Sequence, residues 1–149
     1  IAMLNYRMML PLALATLLSA CATPIYAPQG QQDTEAPLDL EKIYVRGIFN
    51  WWEAEPAYLL SKKSSDTYSV TVELIADGQP YDFRLADQYW SPSKSCGAPD
   101  VQVVDQGQAL ILYCSGDSKN LQFTPQVTGH YKFLVKQTGR SISLIVEQD

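Results

Sequence analysis

Thr67-Tyr68-Ser69-Val70-Thr71-Val72-Glu73-Leu74-Ile75 decides the fold class. Tyr68, Val70, Val72 and Leu74 recur at every second residue, so an extended chain puts all four on one face. A helix would scatter them around its axis. The same period continues on either side. Tyr81 to Ala86 sets Tyr81, Phe83 and Leu85 against Asp82 and Arg84. Ile43 to Phe49, Val101 to Val104, Ala109 to Cys114 and Leu121 to Phe123 read as further strands. His130 to Lys136 and Ser141 to Glu147 form a hairpin around Gln137-Thr138-Gly139-Arg140, whose glycine suits a tight turn. No segment past Cys21 carries a helical period. Short strands parted by turn clusters predict an all-β sandwich of about seven to eight strands, the folded part spanning residues 41–149.

The chain ahead of this pattern is different. Residues 22–40, ATPIYAPQGQQDTEAPLDL, hold three prolines, three glutamines and few large apolar groups. Such a stretch is expected to be a tether, with reach on the order of nanometres. Before it, Arg7 precedes an uncharged apolar run from Met8 to Leu18, the layout of an export signal. That run is short for a bilayer-spanning helix.

Leu18-Ser19-Ala20-Cys21 closes the signal and resembles the lipobox of bacterial lipoproteins. The resemblance implies a signal peptide over 1–20, cleavage before Cys21 and a lipid on its thiol, with residues 21–40 as lipidated cysteine and tether. Ala22, where an aspartate would favour the inner membrane, resembles outer-membrane sorting. Removing residues 1–20 leaves 129 residues with 10 basic and 16 acidic side chains, a net charge of about −6. No run of Lys or Arg concentrates positive charge, which argues against a nucleic-acid partner. Membrane attachment would come through the lipid on Cys21. In an oxidising envelope the remaining pair, Cys96 and Cys114, reads as a disulfide worth roughly 3 kcal/mol if unstrained. Two buried thiols are the alternative. A metal centre or other cofactor is not expected, since His130 is the only histidine.

Catalytic constellations are scarce. His130 opens a strand and has no serine or cysteine partner in a nucleophile context. Glu53, Glu55 and Asp87 are the carboxylates that a sandwich end could gather, but a glycosidase holds two across a deep cleft, which a lone sandwich seldom builds. The expectation is a non-enzyme with no catalytic residues. The tryptophans say more. Trp51, Trp52 and Trp90 all lie just beyond strands in polar company. A rigid ring with one open face can stack on the C–H face of a pyranose while Asn, Asp and Arg neighbours bond its hydroxyls. Strand alternation would place Trp51 and Trp52 on opposite sides, one core and one exposed.

Val45-Arg46-Gly47-Ile48-Phe49-Asn50-Trp51-Trp52 resembles the V-x-G-x-F-N-x-W opening of the starch- and glycogen-binding modules. Those occur in the AMP-activated kinase β subunit, in branching enzymes, beside pullulanases and in outer-membrane starch-binding lipoproteins. Their aromatic-basic-aromatic strand and second tryptophan are matched by Phe83-Arg84-Leu85 and Trp90. Their closing strands are matched by Asn120-Leu121-Gln122-Phe123, Gly129-His130-Tyr131-Lys132-Phe133 and Ile142 to Val146. The resemblance covers about residues 43–147. It implies an immunoglobulin-like sandwich, stacking by Trp52 and Trp90, and polar contacts from Arg84 and Asn120. If Tyr81-Asp82-Phe83 is the aligned triplet instead, Asp82 replaces the basic residue. The Cys96–Cys114 pair is no hallmark of that family, and the stretch Ser61 to Asp66 is expected to be a polar loop.

Two functions follow from these readings. One is an outer-membrane lipoprotein that binds an α-glucan or other neutral polysaccharide without acting on it. The other is an envelope interaction or assembly domain with a protein partner and no sugar. Exposed, coplanar tryptophans favour the first, whereas buried ones beside an open apolar edge strand favour the second.

Overall fold

The computed structural model describes residues 36–149. The expected signal peptide, Cys21 and most of the expected tether lie outside the described residues. Eleven strands follow in chain order. They are β1 (Tyr44–Gly47), β2 (Ser61–Lys62), β3 (Thr67–Leu74), β4 (Tyr81–Ala86), β5 (Ser95–Gly97) and β6 (Gln102–Val103). Then come β7 (Leu110–Ile111), β8 (Tyr113–Cys114), β9 (Leu121–Phe123), β10 (Gly129–Thr138) and β11 (Ser141–Gln148). Four single 3-10 turns are the only helical pieces among the described residues. The protein is an all-β sandwich of the immunoglobulin-like kind.

One sheet runs β2-β3-β10-β11-β7, antiparallel throughout. Its centre is the expected hairpin, in register from Thr138 opposite Ser141 to Tyr131 opposite Gln148, with Gly139 at φ 62° in the turn. The other sheet is built on β4. It pairs with β1 on one side and, on the other, with β9 and β5 along successive parts of its length. β6 lies parallel to β9, and β8 pairs with β5.

Between the sheets, Val72 and Leu74 of β3, Phe83 and Leu85 of β4, Phe133 and Val135 of β10 and Leu144 and Val146 of β11 are buried. Phe83 meets Phe133 edge to face at 5.1 Å, and Phe123 meets Tyr131 at 5.2 Å. The period-two pattern therefore points its apolar half inward as expected. The Tyr131 hydroxyl bonds the Val127 carbonyl, so its polar end is satisfied at the edge of the core.

Several boundaries differ from the sequence reading. The fold takes in residues before 41: Leu40 is buried and Leu38 packs against the core, because these two leucines break the polar run of the tether. The Ser61 to Asp66 stretch holds β2, whose two residues hydrogen-bond along β3 with exposed side chains and so leave no apolar trace. β5, three residues long, is a second strand that the sequence reading does not contain. The segment expected as one strand over 109–114 is two. Leu110–Ile111 joins the sheet of β11, Tyr113–Cys114 joins that of β5, and Leu112 between them bonds Ile142. These three short additions raise the eight expected strands to eleven.

Candidate functional site

The motif Val45-Arg46-Gly47-Ile48-Phe49-Asn50-Trp51-Trp52 has a physical reading residue by residue. A Cβ on Gly47 would lie 2.6 Å from the Asp82 carbonyl oxygen and 2.8 Å from Phe83 Cβ, so only glycine lets β1 close on β4 here. β1 ends at this point and a 3-10 turn, Ile48–Asn50, follows. Asn50 is buried and locks the turn. Its Oδ1 accepts from the Gly47 N–H at 2.9 Å, and its Nδ2 donates to the Val45 carbonyl at 3.0 Å. Phe49 anchors the turn to the interior, 5.5 Å from Tyr58 and 6.3 Å from Phe133. The Trp52 N–H then reaches back to the Gly47 carbonyl at 2.9 Å.

This turn overrides the alternation. Trp51 and Trp52 sit in left-handed backbone, φ 54° and 62°, rather than in a strand. Neither plugs the core: Trp51 is 86% exposed and Trp52 is half-buried.

The second tryptophan arm leaves β4. Asp87 is buried, its Oδ1 accepting from the Ser91 N–H at 2.8 Å and its Oδ2 from the Ser91 hydroxyl at 2.6 Å. Burial pushes the Asp87 carboxyl up, yet the two Ser91 bonds and the charge of Lys94 together hold it below the ordinary carboxylate range. The loop so closed carries Trp90 at φ 56°. Among the described residues the non-glycine residues with positive φ are the three tryptophans. Each such conformation costs about 1–2 kcal/mol in an ordinary L-residue, so tertiary contacts hold these rings where they are. Strain of this kind gathers where a side chain's position matters to function.

Arg46 supplies those contacts. It belongs to β1 and is buried, although charged. Its Nε donates to the Trp52 carbonyl at 2.6 Å and its Nη1 to the Asp87 carbonyl at 2.8 Å, with a longer approach of 3.4 Å to that of Gln88. Its Cζ lies 3.9 Å from the centre of the Trp90 ring. One guanidinium therefore ties both loops and covers one face of Trp90, a cation–π contact of about 0.5–2 kcal/mol. Burial lowers its pKa while Glu53 and Asp87 oppose that, and a guanidinium stays protonated regardless.

Trp52 and Trp90 stand 6.2 Å apart between ring centres at an angle of 43°. They form an inclined pair rather than the coplanar platform that would most favour sugar binding. Trp90 is 38% exposed. Arg84 is the register partner of Arg46 across β1 and β4, so both leave the same, outer face of the sheet. Arg84 Nε donates to Asn120 Oδ1 at 2.6 Å. Asp82, two residues away on that face, accepts from Gln122 Nε2 at 2.8 Å. The four expected residues thus fall into two pairs, Trp52 with Trp90 and Arg84 with Asn120, and the Arg46–Arg84 register links them. Sequence reasoning missed Arg46. The signal was present: a lone charge inside the apolar strand Tyr44-Val45-Arg46-Gly47 needs a structured partner.

Cys96 and Cys114 are register partners on β5 and β8 and form a disulfide. β5 follows the Trp90 loop directly, so the bond fastens the far end of that loop to the sheet. His130 is exposed on β10 opposite Glu73. Glu53 and Glu55 are exposed, and Asp87 is engaged by Ser91. No cluster of metal-ligating side chains occurs among the described residues.

The site is thus an inclined aromatic pair, linked through Arg46 and Arg84 to a row of guanidinium, amide and carboxylate groups. Among solved structures the chain is similar to the ligand-induced structure of AmyP-SBD, a starch-binding domain. The TM-score is 0.55 at 22% identity, over 76% of this chain and 75% of that one. The likeness shows a shared fold. No protein-family model matches the chain, and no curated protein matches it in sequence.

Proposed function

We propose that this protein is an outer-membrane lipoprotein whose sandwich binds a neutral polysaccharide, foremost an α-glucan, without catalysing a reaction on it. The lipid on Cys21 anchors it and the following residues space the domain from the bilayer. Trp52 and Trp90 stack on sugar rings, and Arg84 and Asn120 bond hydroxyls beside them. The observation that carries this reading is the Trp52–Trp90 pair, held by Arg46 in left-handed backbone and left partly open to solvent. The fold shared with a starch-binding domain supports it. The second reading, an envelope interaction domain, draws on two exposed valines, Val103 on the edge strand β6 and Val101 just before it. β6 is only two residues long and offers little backbone for pairing, which favours the first reading.

The test is calorimetric titration of a maltooligosaccharide into wild type, Trp52→Ala and Trp90→Ala, with circular dichroism to check folding. Wild type should bind weakly, with a free energy of roughly 4–6 kcal/mol. Each ring should contribute about 1 kcal/mol. Salt should change little, because the ligand is uncharged. No binding to any neutral polysaccharide sinks the glycan reading. Metabolic labelling with a clickable palmitate tests the anchor: Cys21→Ser should lose the label, and equal labelling of both proteins rejects it.

A further inference from the structure

Against the loop that carries Trp90 lies a cleft of about 510 Å³; its walls include Lys42, Tyr44, Leu59, Gln88, Tyr89 and Lys94 but neither tryptophan. Two of its walls continue from the aromatic site. Tyr44 precedes Arg46 by two residues on β1 and so leaves the same face of the sheet, one pleat along. Gln88 and Tyr89 belong to the loop that ends in Trp90, and the backbone of that loop is gripped by Arg46. The third wall is closed by Leu59, which bridges to Tyr44 from the opposite side. Tyr89 is 78% exposed, with no role in the core.

We propose that this cleft is a second subsite that receives the continuation of a glycan chain already stacked on Trp52 and Trp90; the inference rests on the glycan reading above. The chemistry suits a sugar: two tyrosine rings and a leucine offer apolar faces, and Gln88 and the lysines offer donors to hydroxyls. The volume exceeds what one pyranose fills, so the occupant is a run of sugar units. The two sites share one loop and one face, so a single chain engages both. Affinity therefore grows with chain length beyond the units that cover the tryptophans, and Tyr89 carries that growth.

The experiment compares maltotriose and maltoheptaose on the intact domain by calorimetry. Wild type should bind the heptaose more tightly by more than the number of overlapping registers explains. Tyr89→Ala should lower heptaose affinity about five-fold, the scale of one aromatic contact, and leave maltotriose unchanged. Tyr89→Phe should keep the long-chain advantage. Equal loss for both sugars in Tyr89→Ala puts Tyr89 in the tryptophan site and overturns the second subsite. No loss for either, or a wild type that binds both sugars equally, overturns it too while leaving the glycan reading intact. A wild type that binds neither these sugars nor any other neutral polysaccharide overturns both.

Discussion

The two sheets of this sandwich are built on different plans. The β2-β3-β10-β11-β7 sheet has strands of eight to ten residues at its centre, paired in unbroken register. The sheet around β4 is made of pieces, six residues at most, with loops that leave after Gly47 and after Ala86. The long sheet supplies regular backbone pairing and the hairpin. The broken one carries every feature with chemical character: the three strained tryptophans, buried Arg46 and Asp87, the disulfide and the cleft. The lesson is a division of labour. Long continuous strands leave no room for turns that aim side chains, so the surface with precise side-chain placement is the interrupted one, and it needs side-chain bonds and a covalent tie where ladders are missing.

Breaking the long sheet should have the largest effect. Phe133 on β10 touches Phe83 across the sandwich and Phe49 under the tryptophan turn. Phe133→Ala should cost about 3–5 kcal/mol, a large share of the stability of a domain this size. Urea denaturation read by far-ultraviolet circular dichroism measures it. A cost under 1 kcal/mol would mean that the long sheet is not where stability resides.

The disulfide tests the broken sheet. Cys96→Ala with Cys114→Ala should cost about 3 kcal/mol and lower Tm, with the fold kept at room temperature. The loss should come with faster exchange of amide protons in residues 87–97 than in β10 and β11, as judged by hydrogen exchange. Uniform exchange throughout would show that the bond serves the whole sandwich rather than the loop after Trp90.

Arg46→Met comes next. It keeps an apolar stem but leaves the Trp52 and Asp87 carbonyls without their donor, a cost of about 1–3 kcal/mol. Both loops then lose their common tie, so maltooligosaccharide binding should fall more than it does in Trp90→Ala, although Arg46 has little surface to offer a ligand. If Arg46→Met binds as wild type does, the two loops are held by something else.

The same contrast explains what could be read from the sequence. TYSVTVELI and the 130–147 hairpin announce themselves because burial on one face of a long strand imposes a period on the residues. β2 and β5 do not, since two or three residues carry no period and their pairing runs through backbone. Trp52, Trp90, Arg84 and Asn120 were visible as residue types matching a motif. That they sort into an aromatic pair and a polar pair was not visible, because the sorting depends on β1–β4 register. The positions of Trp51 and Trp52 were misread for a definite reason. Alternation was carried past Gly47, where Asn50 bonds the chain into a turn. Leu38 and Leu40 were lost in a polar composition that described their neighbours and not them.

The smallest expected effect is the pH dependence of the Trp90 loop. Burial alone would raise the Asp87 carboxyl, but the Ser91 bonds and Lys94 win and hold it below its ordinary value of 3.8. A carboxyl with a depressed folded pKa adds stability above its unfolded pKa, and that stability is lost as pH falls through the folded value. Here the loss begins as pH falls past the ordinary value of 3.8 and is completed below it. Its structural sense is plain: a proton on the carboxylate turns one of the two acceptors of Ser91 into a donor, and the loop bearing Trp90 loosens. Asp66, Asp117 and Asp149 are also held low, by Thr67, Ser115 and Lys132 respectively, so acid alone does not isolate Asp87. The comparison is therefore between wild type and Asp87→Asn. The variant should show a smaller drop in Tm between pH 7 and pH 3, and its Trp90 fluorescence, read in a Trp51→Phe, Trp52→Phe background, should change less over that range. Equal drops and equal fluorescence changes in the two proteins would show that Asp87 titrates as an ordinary surface carboxylate, and that the order of the Trp90 loop comes from Arg46 and the disulfide alone.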